Sequence, residues 1–138
     1  MAARLTLVNR KTRQPRILIV EDDAELRRLW RAALTVSGFE VVPVGDGIAA
    51  LYHLEAEVPD LVVLDLGLPR VSGRDVVQEL SANPRTRRIP ILVVTGDPGN
   101  LVESANLCIL RKPVDPTALS DAVGRCLRRM DPSWGNRR

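Results

Sequence analysis

Histidine and cysteine are scarce in this chain, with one of the first and two of the second in 138 residues. No Cys-x-x-Cys pair and no Cys/His grouping occurs, which excludes the thiolate and imidazole sets that hold zinc. Cys108 and Cys126 are therefore read as small, reduced, buried hydrophobes, one on a strand and one on a helix. His53 stands beside Tyr52 on the polar side of a helix and is assigned to the surface. No apolar run approaches the ~20 residues that a membrane-crossing helix needs. The opening stretch, Met1 to Leu7, also lacks the apolar core of a secretory signal. The expectation is a cytoplasmic protein with no membrane partner. Repeats and low-complexity tracts are absent too, and the length suits one compact domain without a second, output domain.

The formal charge of +3 is unevenly spread. Arg4, Arg10, Lys11 and Arg13 crowd the first fifteen residues, and Arg125, Arg128, Arg129, Arg137 and Arg138 the last fourteen. What lies between has more acids than bases. This split argues against a specific nucleic-acid surface on the domain and makes the tails solvated arms. Residues 1–15 read as a flexible extension, with a short strand over Leu5 to Val8 as the alternative, residues 16–130 as the folded domain, and residues 131–138 as a tail in which Trp134 makes a loose contact.

Within the domain, apolar runs alternate with helical patterns. Strands are expected at Arg16 to Val20, Phe39 to Val44, Leu61 to Asp65, Ile89 to Thr95 and Leu107 to Arg111. The first helix carries Leu26, Leu29, Trp30, Ala33 and Val36 or Ser37 and stops at Gly38; the second opens at Asp46-Gly47. Ser72 and Asp75 have capping-box spacing ahead of the third. Turn residues at 96–100 leave only Leu101 to Asn106 for a fourth. Asp115-Pro116 starts the last, with an apolar stripe from Leu119 to Met130. Five strands with intervening helices call for a doubly wound α/β parallel sheet, flavodoxin-like, in the order 2-1-3-4-5.

In that order the crevice opens between strands 1 and 3, whose carboxyl ends bear Glu21-Asp22 and Asp65. Clustered carboxylates repel unless a cation neutralises them, and an all-oxygen set suits Mg2+. Strands 4 and 5 add Thr95 and Lys112 on the other side of Asp65. A hydroxyl and a fixed ammonium beside a metal-held carboxylate are what a transferring phosphoryl group requires, because its negative charge spreads over three oxygens. The carboxylate would act as nucleophile, and being ionised at neutral pH it needs no general base.

The motifs Ile-Val-Glu-Asp-Asp, Val-Leu-Asp-Leu-Gly-Leu-Pro with Gly73 after it, Val-Val-Thr-Gly and Lys-Pro-Val together resemble a receiver domain of the two-component response-regulator family over about residues 16–130. The resemblance implies a CheY-like fold with Asp65 as phospho-acceptor and Mg2+ held by Asp22, Asp65 and the Gly67 carbonyl, Glu21 acting nearby or through water. It also implies that Thr95 binds a phosphoryl oxygen, that Lys112 pairs with the phosphoryl group, and that the Lys112-Pro113 bond is cis. The partners implied are a histidine kinase or histidine phosphotransfer protein and a downstream protein. Such a domain is a signalling device that assists its own phosphorylation and dephosphorylation rather than an enzyme. Asp97 and Gly67, each two residues past a site residue, flank the route of an attacking water.

Two features depart from the family pattern. Ile109 stands where the family has an aromatic ring three residues before the lysine, and the segment from Thr95 to Lys112 is short by about one helical turn. Both fall on the face of fourth helix, fifth strand and last helix, so a shortened or irregular fourth helix and a non-standard output surface are expected. Two other readings are a receiver-like scaffold that works without phosphorylation and a phosphatase using Asp65. The second is disfavoured, because haloacid-dehalogenase phosphatases want an Asp at the position of Gly67.

Overall fold

The computed structural model describes residues 13–136. The short strand weighed for Leu5 to Val8 lies outside them. Among the described residues five parallel strands, β1 (Arg16–Val20), β2 (Glu40–Val44), β3 (Leu61–Asp65), β4 (Ile91–Thr95) and β5 (Leu107–Arg111), form one sheet in the order β2-β1-β3-β4-β5. Four helices accompany them: α1 (Ala24–Val36), α2 (Gly47–Ala56), α3 (Gly73–Ala82) and α4 (Pro116–Met130), followed by a 3-10 turn at Pro132–Asn136.

Successive strand residues point to opposite faces, so each apolar run feeds two cores. Ile17, Ile19, Leu61, Val63, Leu92 and Val94 pack under α1 and α4, meeting Trp30, Leu34, Leu119, Val123 and Leu127. Leu18, Val20, Val62, Leu64, Ile91 and Val93 pack under α2 and α3, meeting Ala50, Leu54, Val76 and Leu80. Every residue of β3 and β4 is buried, as unbroken apolar runs demand of central strands. The helices begin on side-chain caps: Asp23, Asp46, Ser72 and Asp115 each accept from backbone N–H groups of the first turn, and Ser72 with Asp75 forms the full reciprocal box.

Four expectations need correction. No helix forms between β4 and β5; the six residues from Leu101 to Asn106 cannot meet the cost of a helical nucleus. The segment instead makes an antiparallel bridge between Ser104 and Leu107, and the turn before it is tied to α3 by the Arg74 guanidinium, which donates to the Pro98 carbonyl. In α1, the buried stripe runs through Trp30 and Leu34, leaving Leu29 and Val36 exposed. Trp134 is not loose: it is 5% exposed and belongs to the core under α4. Cys108 and Cys126 are buried as expected but joined to each other as a disulfide. A strand residue and a residue of the helix packed upon it meet here, a pairing that a separation of 18 positions does not advertise.

The end of the N-terminal extension is likewise held. Arg13 makes a two-pronged ion pair with Asp60, at 2.8 and 3.0 Å, and lies over the Trp134 ring at 5.4 Å. The Asp60 hydrogen bond raises the pKa of the Arg13 guanidinium. Pro15 is buried and its carbonyl accepts from the Glu40 amide.

Candidate functional site

The parallel register sets the site. β1 and β3 run side by side from Ile17 and Leu61 to Val20 and Leu64, so the next residues, Glu21 and Asp65, emerge together at the sheet's carboxyl edge. Asp65 pairs with Val94 in β4, which puts Thr95 one step beyond it, and Thr95 pairs with Arg111 in β5, which puts Lys112 one step beyond that. Ordinary strand pairing thus delivers five side chains from four strands to one crevice.

Asp65 is 6% exposed, and its two oxygens have different company. Oδ1 accepts from the Gly67 amide at 3.0 Å, while Oδ2 lies 3.3 Å from Lys112 Nζ. The turn that makes this possible is close-packed: a Cβ on Gly73 would stand 2.5 Å from the Asp65 carbonyl oxygen and 2.5 Å from the Leu66 Cα, so only glycine fits beside the strand end. Lys112 is one of just two lysines in a chain whose other bases are all arginine. A compact ammonium, rather than a broad guanidinium, is what reaches the acid cluster. The Lys112-Pro113 peptide bond is cis, as the resemblance implies.

Glu21, Asp22 and Asp65 each offer a carboxylate oxygen within 4.8 Å of the others. Glu21 is 1% exposed. Its Oε2 accepts from the Asp23 amide, but its Oε1 is buried with no hydrogen-bond partner among the described residues, Lys112 Nζ standing 4.0 Å away. Burial pushes the Glu21 carboxyl up to about 7, the Asp23 amide opposes the shift, and the neighbouring Asp65 adds to it. An orphaned buried oxygen within a set of hard oxygen donors fits a divalent cation of the Mg2+ type.

Thr95 is buried at the crevice but its hydroxyl is turned into its own loop, donating to the Asp97 carbonyl and accepting from the Asp97 amide, both at 3.1 Å. The Gly67 side of the turn is open, with nothing but Asp65 Oδ1, at 3.6 Å, near a Cβ built there. All six residues expected at the site, Glu21, Asp22, Asp65, Gly67, Thr95 and Lys112, lie on this edge. One contributor was not foreseen. Arg27 donates to the Glu21 carbonyl at 2.6 Å and to the Asp22 carbonyl at 3.4 Å, bracing the acidic turn from the first turn of α1. Its only sequence signal is a base placed six residues after the first acid.

Known proteins with this arrangement are numerous. The family model described as response regulator receiver domain matches residues 17–124. Among curated relatives, the DNA-binding response regulator MtrA of Mycobacterium tuberculosis is 36% identical over 125 residues, covering 87% of this chain and 54% of the relative. The probable transcriptional regulator ycf27 of Porphyridium aerugineum is 32% identical over 126 residues, covering 88% and 51%. The chain spans about half the length of these curated relatives. Among solved structures, a sensor protein from a Polaromonas species superposes with a TM-score of 0.75 at 30% identity, covering 84% of this chain and 98% of that one. The chemotaxis response regulator CheY4 of Vibrio cholerae gives 0.74 at 25%, covering 82% and 98%. Sheet order, acidic crevice and sequence converge on one conclusion: this chain belongs to the response regulator receiver domain family of two-component signalling.

Proposed function

We propose that Asp65 accepts a phosphoryl group from the phosphohistidine of a histidine kinase or histidine phosphotransfer protein. The observation that carries the reading is the placement of Asp65 between the Glu21-Asp22 acid pair and the Lys112 ammonium, one oxygen held by the Gly67 amide and the other 3.3 Å from the cation. An Asp65 oxygen attacks phosphorus in line; the new O–P bond forms as the N–P bond to histidine breaks, and the imidazole leaves. Lys112 takes up charge on the phosphoryl oxygens. Thr95 gives up its turn with Asp97 to donate to one of them, which couples phosphorylation to the β4–β5 loop. Asp22, Asp65 and the Gly67 carbonyl would hold Mg2+, with Glu21 acting nearby or through water. When bound, the ion neutralises the acid cluster and the incoming phosphate oxygens. Water later attacks the acyl phosphate past Gly67 and Asp97, breaking the O–P bond, releasing inorganic phosphate and restoring the Asp65 carboxylate.

The phosphorylatable unit is residues 16–130, flanked by residues 1–15 and 131–138. Output runs by contact with a protein partner through a surface other than the usual fourth-helix, fifth-strand and last-helix face, since that helix is absent here and Ile109 replaces the ring. Incubation with acetyl phosphate and Mg2+, followed by intact mass, tests the phosphorylation. One phosphoryl group is expected, and none on Asp65→Asn. A wild-type protein that takes up none would favour the alternative of a phosphorylation-independent interaction module.

A further inference from the structure

The disulfide lies in a cleft of about 440 Å3 between β5 and α4. Both cysteines line it, together with Arg125, Arg128 and Arg129 on the helix and Glu103 on the loop that replaces a helix. We propose that Cys108–Cys126 is a thiol–disulfide exchange site for an anionic low-molecular-weight thiol of the glutathione type, entered through Cys108.

Three observations point the same way. Cys108 is 7% exposed against 1% for Cys126, so of the two residues lining the cleft Cys108 is the more accessible. Arg129 Nη1 stands 3.4 Å from Cys108 Sγ, where a guanidinium stabilises a thiolate. Three arginines against one glutamate leave the cleft cationic, which concentrates an anionic thiol or its disulfide. Arg129 is itself fixed by donating to the Ser104 carbonyl at 2.7 Å, and the Glu103 carboxylate of the same loop accepts from the Ile109 amide of β5 at 2.8 Å.

In the oxidising direction the Cys108 thiolate attacks the disulfide of the oxidised thiol; that S–S bond breaks, one thiolate leaves, and a mixed disulfide remains on Cys108. Cys126 loses its proton to solvent and attacks Cys108 Sγ, expelling the second thiolate. Two electrons pass from the protein to the oxidant, and reduction retraces the steps. The closed loop from residue 108 to residue 126 contains Lys112 and Pro113, so exchange changes the restraint on the segment carrying the lysine of the acidic crevice.

The full chain equilibrated across a series of reduced-to-oxidised glutathione ratios, acid-quenched, alkylated and weighed intact, should lose its two thiols together. Cys126→Ser should accumulate one glutathione adduct, mapped to Cys108, and Cys108→Ser none. In the wild-type background Arg129→Gln should slow oxidation of the reduced protein by glutathione disulfide severalfold, and oxidation by neutral 2-hydroxyethyl disulfide much less, with circular dichroism unchanged. A bond that stays closed across the whole series would overturn the proposal. So would equal adducts on the two cysteine variants, or an Arg129→Gln effect blind to the charge of the oxidant.

Discussion

The tips of β1 and β3 and the flank formed by β5 and α4 obey different rules within one sheet. At the tips, side chains sit where strand register puts them: Glu21 and Asp65 follow paired residues, and a turn with room only for Gly73 fixes the carboxylate. On the flank, the crossover has no helix, Ile109 fills the aromatic position, and a disulfide joins strand to helix. The lesson is that chemistry needing convergent charges is fixed by backbone topology, whereas the flank is free to be rebuilt from packing.

Substitutions test that contrast. The largest stability effect is expected outside both regions, from Trp134→Ala: the ring is buried beside α4 and under Arg13, and its removal should cost about 3–5 kcal/mol in chemical denaturation. A loss below ~1 kcal/mol would return the residue to the tail. At the tips, Lys112→Ala should leave the fold in place and slow phosphoryl uptake on the order of 100-fold, the usual cost of one charge-stabilising group. Rates within twofold of wild type would show that the ammonium is structural.

The smallest effect is a pH dependence. A carboxyl whose pKa rises from 4.5 in the unfolded chain to about 7 in the fold favours the native state while protonated. Its contribution is complete below 4.5 and lost as pH rises through about 7. Without Mg2+, the Tm of the wild-type protein should therefore fall across that window, Glu21→Gln should flatten the fall, and Mg2+ should recover stability at its alkaline end. An identical slope in the Glu21→Gln protein would assign the dependence elsewhere.

Much of this was legible in the chain itself. Strand ends, the order of the sheet and the crevice follow from apolar runs that stop on Glu21, Asp65, Thr95 and Lys112, because strand boundaries and chemistry coincide there. What stayed hidden depends on tertiary distance. The Cys108–Cys126 bond requires knowing which turn of α4 lies over β5, and the ion pair of Arg13 with Asp60 joins residues 47 apart. Trp134 carries no periodic neighbours to mark it as core. In α1 the apolar residues exceed the width of the buried stripe, so Leu29 and Val36 matched helical spacing while facing outward.

Phosphoryl uptake from acetyl phosphate in the presence of Mg2+, read by intact mass and peptide mapping on the wild type and Asp65→Asn in parallel, bears most directly on the convergence of charges at the β3 tip. One phosphoryl group on Asp65, lost with the amide substitution and with removal of Mg2+, is the predicted result. Uptake that persists in Asp65→Asn at the wild-type rate, or that maps to another residue, would contradict the account.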